Sequence, residues 1–126
     1  MPISTATLKI GLIAVWSLFA SAAHAVDLVM VSQPGCVYCE RWEQEIGPIY
    51  PKTEVGTFAP LRHYDIKDIR AGALDVKMPV VFTPTFLVVD GDVEVHRMEG
   101  YMSEDFFWSV LEKILSDAYG FEGSTR

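Results

Sequence analysis

The chain contains two cysteines, Cys36 and Cys39, and the two residues between them set a spacing that supports redox chemistry. At the start of a helix, this spacing places the first sulfur at the amino end, facing water, and the second sulfur one turn further in, facing protein. Unpaired N–H groups and the helix dipole then favour a thiolate, so we expect the pKa of Cys36 to fall below the free value of about 8.5. Cys36 would attack a substrate disulfide, and Cys39 would resolve the mixed disulfide.

Two other uses of such a cysteine pair are weaker. A purely structural disulfide would close a ring of four residues, which constrains so little of the chain that stabilisation is a poor reason for its presence. Covalent haem would need a histidine directly after Cys39, and the chain has Glu40 there. Haem attachment is therefore excluded.

A metal centre would need more ligands than the two cysteines supply. Zinc requires two more, and the histidines downstream of the pair, His63 and His96, have no local spacing that recommends them. Copper(I) prefers soft ligands, so the cysteines together with a methionine such as Met78 or Met98 would suit it. A metal-handling module is the alternative from a different class of function, and the leading interpretation has no metal.

The first 25 residues have the pattern of a secretory signal peptide. A basic residue precedes the apolar run at residues 10–23, and Ala23 and Ala25 fit an A-x-A cleavage site. The run is shorter than about 20 residues, the length that a membrane-spanning helix needs, so we expect residues 1–25 to be cleaved rather than to anchor the protein. A mature chain from Val26 would work outside the cytoplasm, and the bacterial type of signal indicates the periplasm, where thiols are driven to disulfides.

Composition limits the size and the partners of the protein. With 126 residues, it forms one domain at most. Half of the residues are apolar and 21% are charged, which predicts a packed core and excludes a disordered chain. Asp and Glu number 17 against 10 Lys and Arg, without a basic run. We therefore expect no binding to nucleic acid.

The elements that must position the cysteines are a strand, a turn and a helix. Residues 27–32 form a short apolar run that ends at a Gln-Pro-Gly segment at 33–35, which predicts a buried strand closed by a turn. Good helix formers then occupy residues 36–46, until a Gly-Pro pair at 47–48 interrupts them. Cys36 therefore begins a helix directly after a strand.

The remaining elements complete the order β-α-β-α-β-β-α, without an internal repeat. An Asp-Gly step at 90–91 separates two apolar runs and predicts a hairpin. Ser103 is a suitable N-cap for the closing helix, and Gly120 ends its apolar face. The predicted elements after the first helix are a turn at 49–53, a loop at 54–60, a strand at 61–66, a short helix at 67–76, strands at 82–89 and 92–98, and a helix at 104–119.

This pattern resembles the thioredoxin superfamily. The cysteine pair lies at a strand-to-helix turn, and the Phe-Thr-Pro-Thr-Phe segment at 82–86 stands where that family has its cis-proline loop, before a hairpin, a glycine and a closing helix. The resemblance implies an α/β fold, a three-layer α-β-α sandwich of the minimal thioredoxin/glutaredoxin type, with a four-stranded mixed sheet flanked by helices. The resemblance covers nearly the whole mature chain and assigns residues 26–120 to this domain. Because Gly120 ends the last helix, we expect residues 121–126 to form a flexible tail.

The resemblance also implies where a substrate would bind. The bond between Thr83 and Pro84 would be cis, which lays the Thr83 backbone beside the disulfide, where it can pair with an extended substrate segment. Val37 and Tyr38 would contact the substrate, and Tyr38 and Tyr101 would border the docking surface. The family's attacking and resolving thiols correspond by position to the two cysteines, and no cofactor is implied beyond their redox-active disulfide.

The chain also departs from the family at several positions. Gly35 stands where thioredoxin has a tryptophan before its first cysteine, and Met30 stands where thioredoxin has a buried acid. Proton transfer to or from Cys39 must therefore use another group, such as water or Glu40. The glycine pair that helps glutaredoxins to hold glutathione is replaced by Gly100-Tyr101, so glutathione binding does not follow from the resemblance.

The segments at 34–39, 42–51 and 99–101 are similar to the periplasmic thioredoxins encoded with bacterial sulfur-oxidation (Sox) systems. This similarity implies a monomeric reductant of disulfides or cysteine adducts on partner proteins, such as the sulfur-carrier protein of a thiosulfate-oxidation complex. A reduced pair cannot persist in an oxidising compartment without a donor, so a DsbD- or CcdA-type transporter in the inner membrane would supply electrons. A thiol oxidant, or a glutaredoxin-like enzyme acting on glutathione adducts, is the alternative within the same chemistry.

Overall fold

The computed structural model describes Pro2 and residues 26–123. The predicted signal peptide at 1–25, apart from Pro2, and residues 124–126 lie outside the described residues. No helix within 26–123 is long and apolar enough to cross a bilayer. The elements are β1 (Val26–Ser32), α1 (Val37–Glu45), a 3-10 turn (Tyr50–Lys52), α2 (Glu54–Phe58), β2 (Leu61–Asp65), α3 (Ile66–Arg70), β3 (Thr85–Asp90), β4 (Val93–Glu99) and α4 (Glu104–Tyr119).

The four strands form one mixed sheet in the order β2-β1-β3-β4. The central strand β1 runs parallel to β2 and antiparallel to β3, with Val31 opposite Thr85. Strands β3 and β4 form an antiparallel hairpin. Its two turn residues, Gly91 and Asp92, both have positive φ angles, of 56° and 65°, as a two-residue turn of type I′ requires. The predicted hairpin and the predicted mixed sheet are both confirmed.

Helices cover both faces of the sheet and give the fold three layers. Alternation along β1 directs Leu28 and Met30 to the face covered by α1, α2 and α4, and directs Val29 and Val31 to the face covered by α3. A strand buried on both faces needs apolar residues on both, which explains the continuous apolar run in β1. The predicted α-β-α sandwich is therefore confirmed.

The strand predicted at 82–89 begins only at Thr85, because residues 82–84 form the bend that contains the cis bond before Pro84. Two other segments also differ from their predicted structure. The expected loop at 54–60 contains the short helix α2, which begins where the Thr53 hydroxyl accepts a hydrogen bond from the N–H of Gly56 over 3.0 Å. The helix expected at 67–76 begins one residue earlier and ends sooner. The Asp65 carboxylate accepts a hydrogen bond from the N–H of Lys67 and fixes the start at Ile66, and the helix ends at Arg70, just before the turn at Gly72, which has a φ of 91°. Both changes depend on caps that local periodicity does not register.

The structure also corrects the predicted end of the domain. Gly120 ends α4 in the left-handed conformation, and the N–H of Phe121 then donates to the carbonyl of Leu115 over 3.2 Å. This turn directs the Phe121 ring back to the core, where it is buried against Phe58 at a centroid distance of 5.1 Å. Phe121 therefore belongs to the packed domain and not to a flexible tail.

Candidate active site

The turn at 33–35 connects the end of strand β1 to the first cysteine. Gly35 has a φ of 76°, a conformation that residues with a side chain rarely adopt. Cys36 then occupies the N-cap of α1 with extended backbone, and its sulfur accepts a hydrogen bond from the N–H of Cys39 over 3.1 Å. The sulfur therefore takes the place that a serine or aspartate oxygen takes at most helix starts.

The two cysteines form a disulfide with an S–S distance of 2.10 Å and a Cα–Cα distance of 5.2 Å. Cys36 is half-buried, whereas Cys39 is 5% exposed and belongs to the core cluster beneath the site. The intervening residues point outward, since Val37 is 70% exposed and Tyr38 is 59% exposed. Cys36 is therefore the more exposed of the two cysteines and lies beside an apolar rim formed by Val37 and Tyr38, while Cys39 is buried in the core.

The loop before β3 lies beside this disulfide segment. The bond between Thr83 and Pro84 is cis, and Pro84 is buried. The side-chain amide of Gln33 donates to the Thr83 hydroxyl over 2.9 Å, and the N–H of Gly100 donates to the carbonyl of Pro84 over 2.7 Å. The structure thus joins the turn before Cys36 to the loop that contains the predicted substrate-binding residues Thr83 and Pro84 through one side-chain hydrogen bond. It adds Gln33, for which the sequence carries no signal because its partner is 50 positions away.

The structure corrects the expectation for Tyr101. Its side chain is 5% exposed, so it does not border a docking surface. Its hydroxyl donates to the carboxylate of Glu45 in α1, and the guanidinium of Arg41 lies 5.5 Å from the centre of its ring. Burial, and then the bond to Glu45, raise the pKa of Tyr101. The same bond, followed by the bond from Arg41, lowers the pKa of the Glu45 carboxyl. Tyr101 therefore fastens the segment after β4 to α1.

The environment of Cys39 is apolar. Met30 is fully buried in β1 and shares a core cluster with Cys39, Trp42 and Phe86. Within residues 26–123 the only buried carboxylate is that of Glu94. It lies on β4 and accepts hydrogen bonds from the guanidinium of Arg97. Met30 thus places an apolar side chain at the position where the resemblance to thioredoxin implies a buried acid. Glu40 is exposed on α1.

The two candidate histidine ligands lie on the opposite edge strands of the sheet, β2 and β4. His63 bonds to the carboxylate of Glu43 over 2.7 Å, and His96 pairs with Val88 in the hairpin. Met78 is exposed in the loop before Val80, and Met98 is half-buried in β4. No three side chains among His, Cys, Asp and Glu in the described part of the chain converge on a possible metal position.

Comparisons with known proteins agree with this architecture. Residues 20–115 match the family model Thioredoxin_2, described as a thioredoxin-like domain. The crystal structure of the periplasmic thioredoxin SoxS from Paracoccus pantotrophus, in its reduced form, is similar at 46% identity and a TM-score of 0.69, covering 74% of this chain and 98% of its own. No curated protein sequence matches the chain.

More distant structures share the fold alone. Thioredoxin from Fasciola hepatica is 18% identical, with a TM-score of 0.55, and the match covers 71% of this chain and 81% of that protein. Thioredoxin f2 from Chlamydomonas reinhardtii is 12% identical, with a TM-score of 0.57, and the match covers 81% and 86%. With the family match, the similarity to SoxS and the Cys36–Cys39 disulfide, the chain belongs to the thioredoxin-like domain family and is a thiol–disulfide oxidoreductase.

Proposed function

We propose that this protein reduces disulfides or cysteine adducts on partner proteins outside the cytoplasm. The observation that carries the proposal is the difference between the two sulfurs of one disulfide. Cys36 is reachable at a helix N-terminus and accepts the N–H of Cys39, whereas Cys39 is buried below it. This asymmetry suits one cysteine to attack and the other to resolve.

The reaction balances without a bound cofactor. In the reduced protein the Cys36 thiolate attacks one sulfur of a substrate disulfide, whose S–S bond breaks as its other sulfur leaves as a thiolate. A mixed disulfide has then formed at Cys36. Cys39 transfers its proton to water or to the first substrate thiolate, and its own thiolate then attacks the Cys36 sulfur, breaks the mixed disulfide and releases the second substrate sulfur as a thiolate. The substrate gains two electrons, and the protein loses two and ends as the Cys36–Cys39 disulfide.

The surface around Cys36 suits an extended protein segment. Val37 and Tyr38 offer exposed apolar contacts, and Phe82 of the loop before Pro84 adds a further exposed ring. Within residues 26–123, the backbone N–H and carbonyl of Thr83 have no hydrogen-bond partner. A substrate strand could therefore pair with Thr83 while its cysteine meets Cys36.

Similarity to the periplasmic thioredoxin SoxS supports a finer assignment. We place the mature protein in the periplasm as a monomer, after removal of residues 1–25, with a Sox sulfur-carrier protein as one substrate. A DsbD- or CcdA-type membrane transporter would return electrons to the disulfide, because an oxidising compartment cannot keep the pair reduced. The acidic composition supports protein partners over nucleic acid.

Trapping of the mixed disulfide tests the mechanism. Reduced Cys39→Ser protein, mixed with oxidised insulin or with the sulfur-carrier protein, should form a covalent adduct that mass spectrometry detects and dithiothreitol releases. Cys36→Ser protein is the matched control and should form none. Equal adduct formation by both variants would contradict the assigned roles. A reduction potential near that of DsbA, about −120 mV, would contradict the direction of electron flow.

A further inference from the structure

We propose that Gln33 is a positioning residue, which holds the hydroxyl of Thr83 in the orientation that a protein substrate meets. The inference rests on the proposed function, since it concerns how that substrate binds. Gln33 lies in the turn between β1 and the disulfide and is exposed. Its side-chain amide donates to the Thr83 hydroxyl oxygen over 2.9 Å.

Gln33 contacts both halves of the site at once. Its backbone carbonyl accepts the N–H of Cys36 over 3.3 Å, while its side chain reaches Thr83. Pro84 has no N–H, so the hydroxyl and backbone of Thr83 are the polar groups that this loop offers next to the disulfide. One residue thus couples the turn before Cys36 to the loop that would receive a substrate strand.

The direction of the hydrogen bond decides what Thr83 can do. A threonine hydroxyl has one proton to donate and two lone pairs to accept with. Because Gln33 donates to the oxygen, the Thr83 proton stays available for an acceptor on a substrate, such as a backbone carbonyl. Thr85, on the other side of Pro84, is fully buried and donates its proton to the carbonyl of Phe82 over 2.7 Å. Of the two threonines that flank Pro84, only Thr83 can therefore donate to a substrate.

This arrangement predicts an effect on binding rather than on sulfur chemistry. The Gln33 side chain bonds to Thr83 and to neither sulfur. Without it, the Thr83 side chain is free to rotate and must be ordered when a substrate binds. We expect Gln33→Ala to raise KM for a protein disulfide by about fivefold, the effect of one ordinary hydrogen bond, and to leave kcat unchanged.

The test compares reduction of insulin and of a small aromatic disulfide, with dithiothreitol as the electron donor. Gln33→Ala, Thr83→Val and the double variant are measured beside Gln44→Ala, a matched loss of an exposed glutamine on α1. Both single variants should raise KM for insulin, and Gln33→Ala should add nothing in the Thr83→Val background. Gln44→Ala should leave KM for insulin and turnover of the small disulfide at the wild-type level. In Gln33→Ala and Thr83→Val, kcat/KM for insulin should fall relative to kcat/KM for the small disulfide, which has no backbone to pair.

A second substitution reverses the hydrogen bond without changing the size of the side chain. Gln33→Glu presents an acceptor only, which takes up the Thr83 proton, so it should raise KM for insulin at least as much as Gln33→Ala. Additive effects in the double variant, or an unchanged KM in both Gln33 variants, would overturn the inference and leave the proposed function standing. A wild-type protein that reduces no insulin would overturn both.

Discussion

The backbone N–H of Cys39 donates a hydrogen bond to the sulfur of Cys36 over 3.1 Å. The buried Cys39 therefore stabilises the half-buried Cys36 sulfur through its main-chain N–H, independently of its own thiol. In the reduced protein the same N–H would meet a thiolate, and hydrogen bonds to a charged acceptor are roughly twice as strong as neutral ones. The N-terminal end of α1 adds to this effect.

In the reduced protein, one thiol should accordingly react quickly with an alkylating reagent and the other slowly. We expect iodoacetamide to modify Cys36 with a half-maximal rate below about pH 8.5, the midpoint of a free cysteine, and to modify Cys39 much more slowly because it is buried. Peptide mapping by mass spectrometry at a series of pH values measures both rates. Cys36→Ser protein gives the rate of Cys39 alone. Equal rates for the two thiols would remove the basis of the assigned roles.

Arg97 should be important for stability, because it neutralises a buried charge. The Glu94 side chain is 1% exposed, and the guanidinium of Arg97 contacts both of its carboxylate oxygens and also the carbonyl of Met78. We expect Arg97→Met to lower the free energy of unfolding by about 3 kcal/mol, since it leaves Glu94 with only the N–H of Lys77.

Urea titration measures this loss. Arg70→Met, at the exposed end of α3, is the matched control and should leave the unfolding midpoint unchanged. The double variant Glu94→Gln/Arg97→Met should recover part of the stability, because no buried charge remains unpaired. A full additive loss in the double variant would show that the pair is not coupled.

The same carboxylate should give stability a defined dependence on acid. Burial opposes the charge on Glu94, but hydrogen bonds from Arg97 and from the Lys77 N–H outweigh it, and the pKa of Glu94 is lowered. A group whose folded-state pKa is lowered contributes stability above its unfolded pKa and loses it as pH falls, so wild-type protein should lose this stability as the pH falls below about 5. Glu94→Gln should show a smaller loss by urea titration, whereas Glu112→Gln, on the exposed side of α4, should retain the wild-type slope.

Phe121 should contribute to the core although it follows the last helix. Its ring is buried against Phe58, and truncation of a buried aromatic residue usually costs about 3 kcal/mol or more. We expect Phe121→Ala to lower the free energy of unfolding by about 2 kcal/mol, because the chain end can relax around the cavity. Glu122→Ala, at the next exposed position, should change it by less than about 0.5 kcal/mol. A loss equal to that of the control would place Phe121 outside the domain.

Local patterns predicted the elements whose causes are local. Three local signals each specify structure within a few positions and are confirmed: the apolar run of β1, the cysteine spacing and the cap at Ser103. The Asp-Gly step at 90–91 correctly predicted the hairpin, although its two turn residues are Gly91 and Asp92. Helix α2 was not predictable in this way, because it contains Gly56, a poor helix former. A side chain there would place its first carbon 1.9 Å from the carbonyl oxygen of Tyr50, and this reason for a glycine exists only in the folded protein.

The parts of the site that were missed depend on tertiary contacts. Gln33 reaches Thr83 only because β1 and β3 pair, and the burial of Tyr101 follows from its bond to Glu45, 56 positions earlier in the chain. The resemblance placed both tyrosines at the rim, yet only Tyr38 is exposed. Neither contact produces a pattern of spaced residues from which it could be predicted.

The antiparallel pairing of β1 and β3 has a consequence for how the site can fail. Cys36 follows the end of β1, and Pro84 precedes the start of β3, so the ladder that sets Val31 opposite Thr85 also sets the distance between the reacting sulfur and the proline loop. A slip that keeps each side chain on its own face of the sheet must move by two residues, about 6.8 Å, which no hydrogen bond can span. A molecule with a shifted strand register therefore loses the placement of Thr83 and Pro84 beside Cys36 completely. A protein sample with half the activity would then be a mixture of active and inactive molecules.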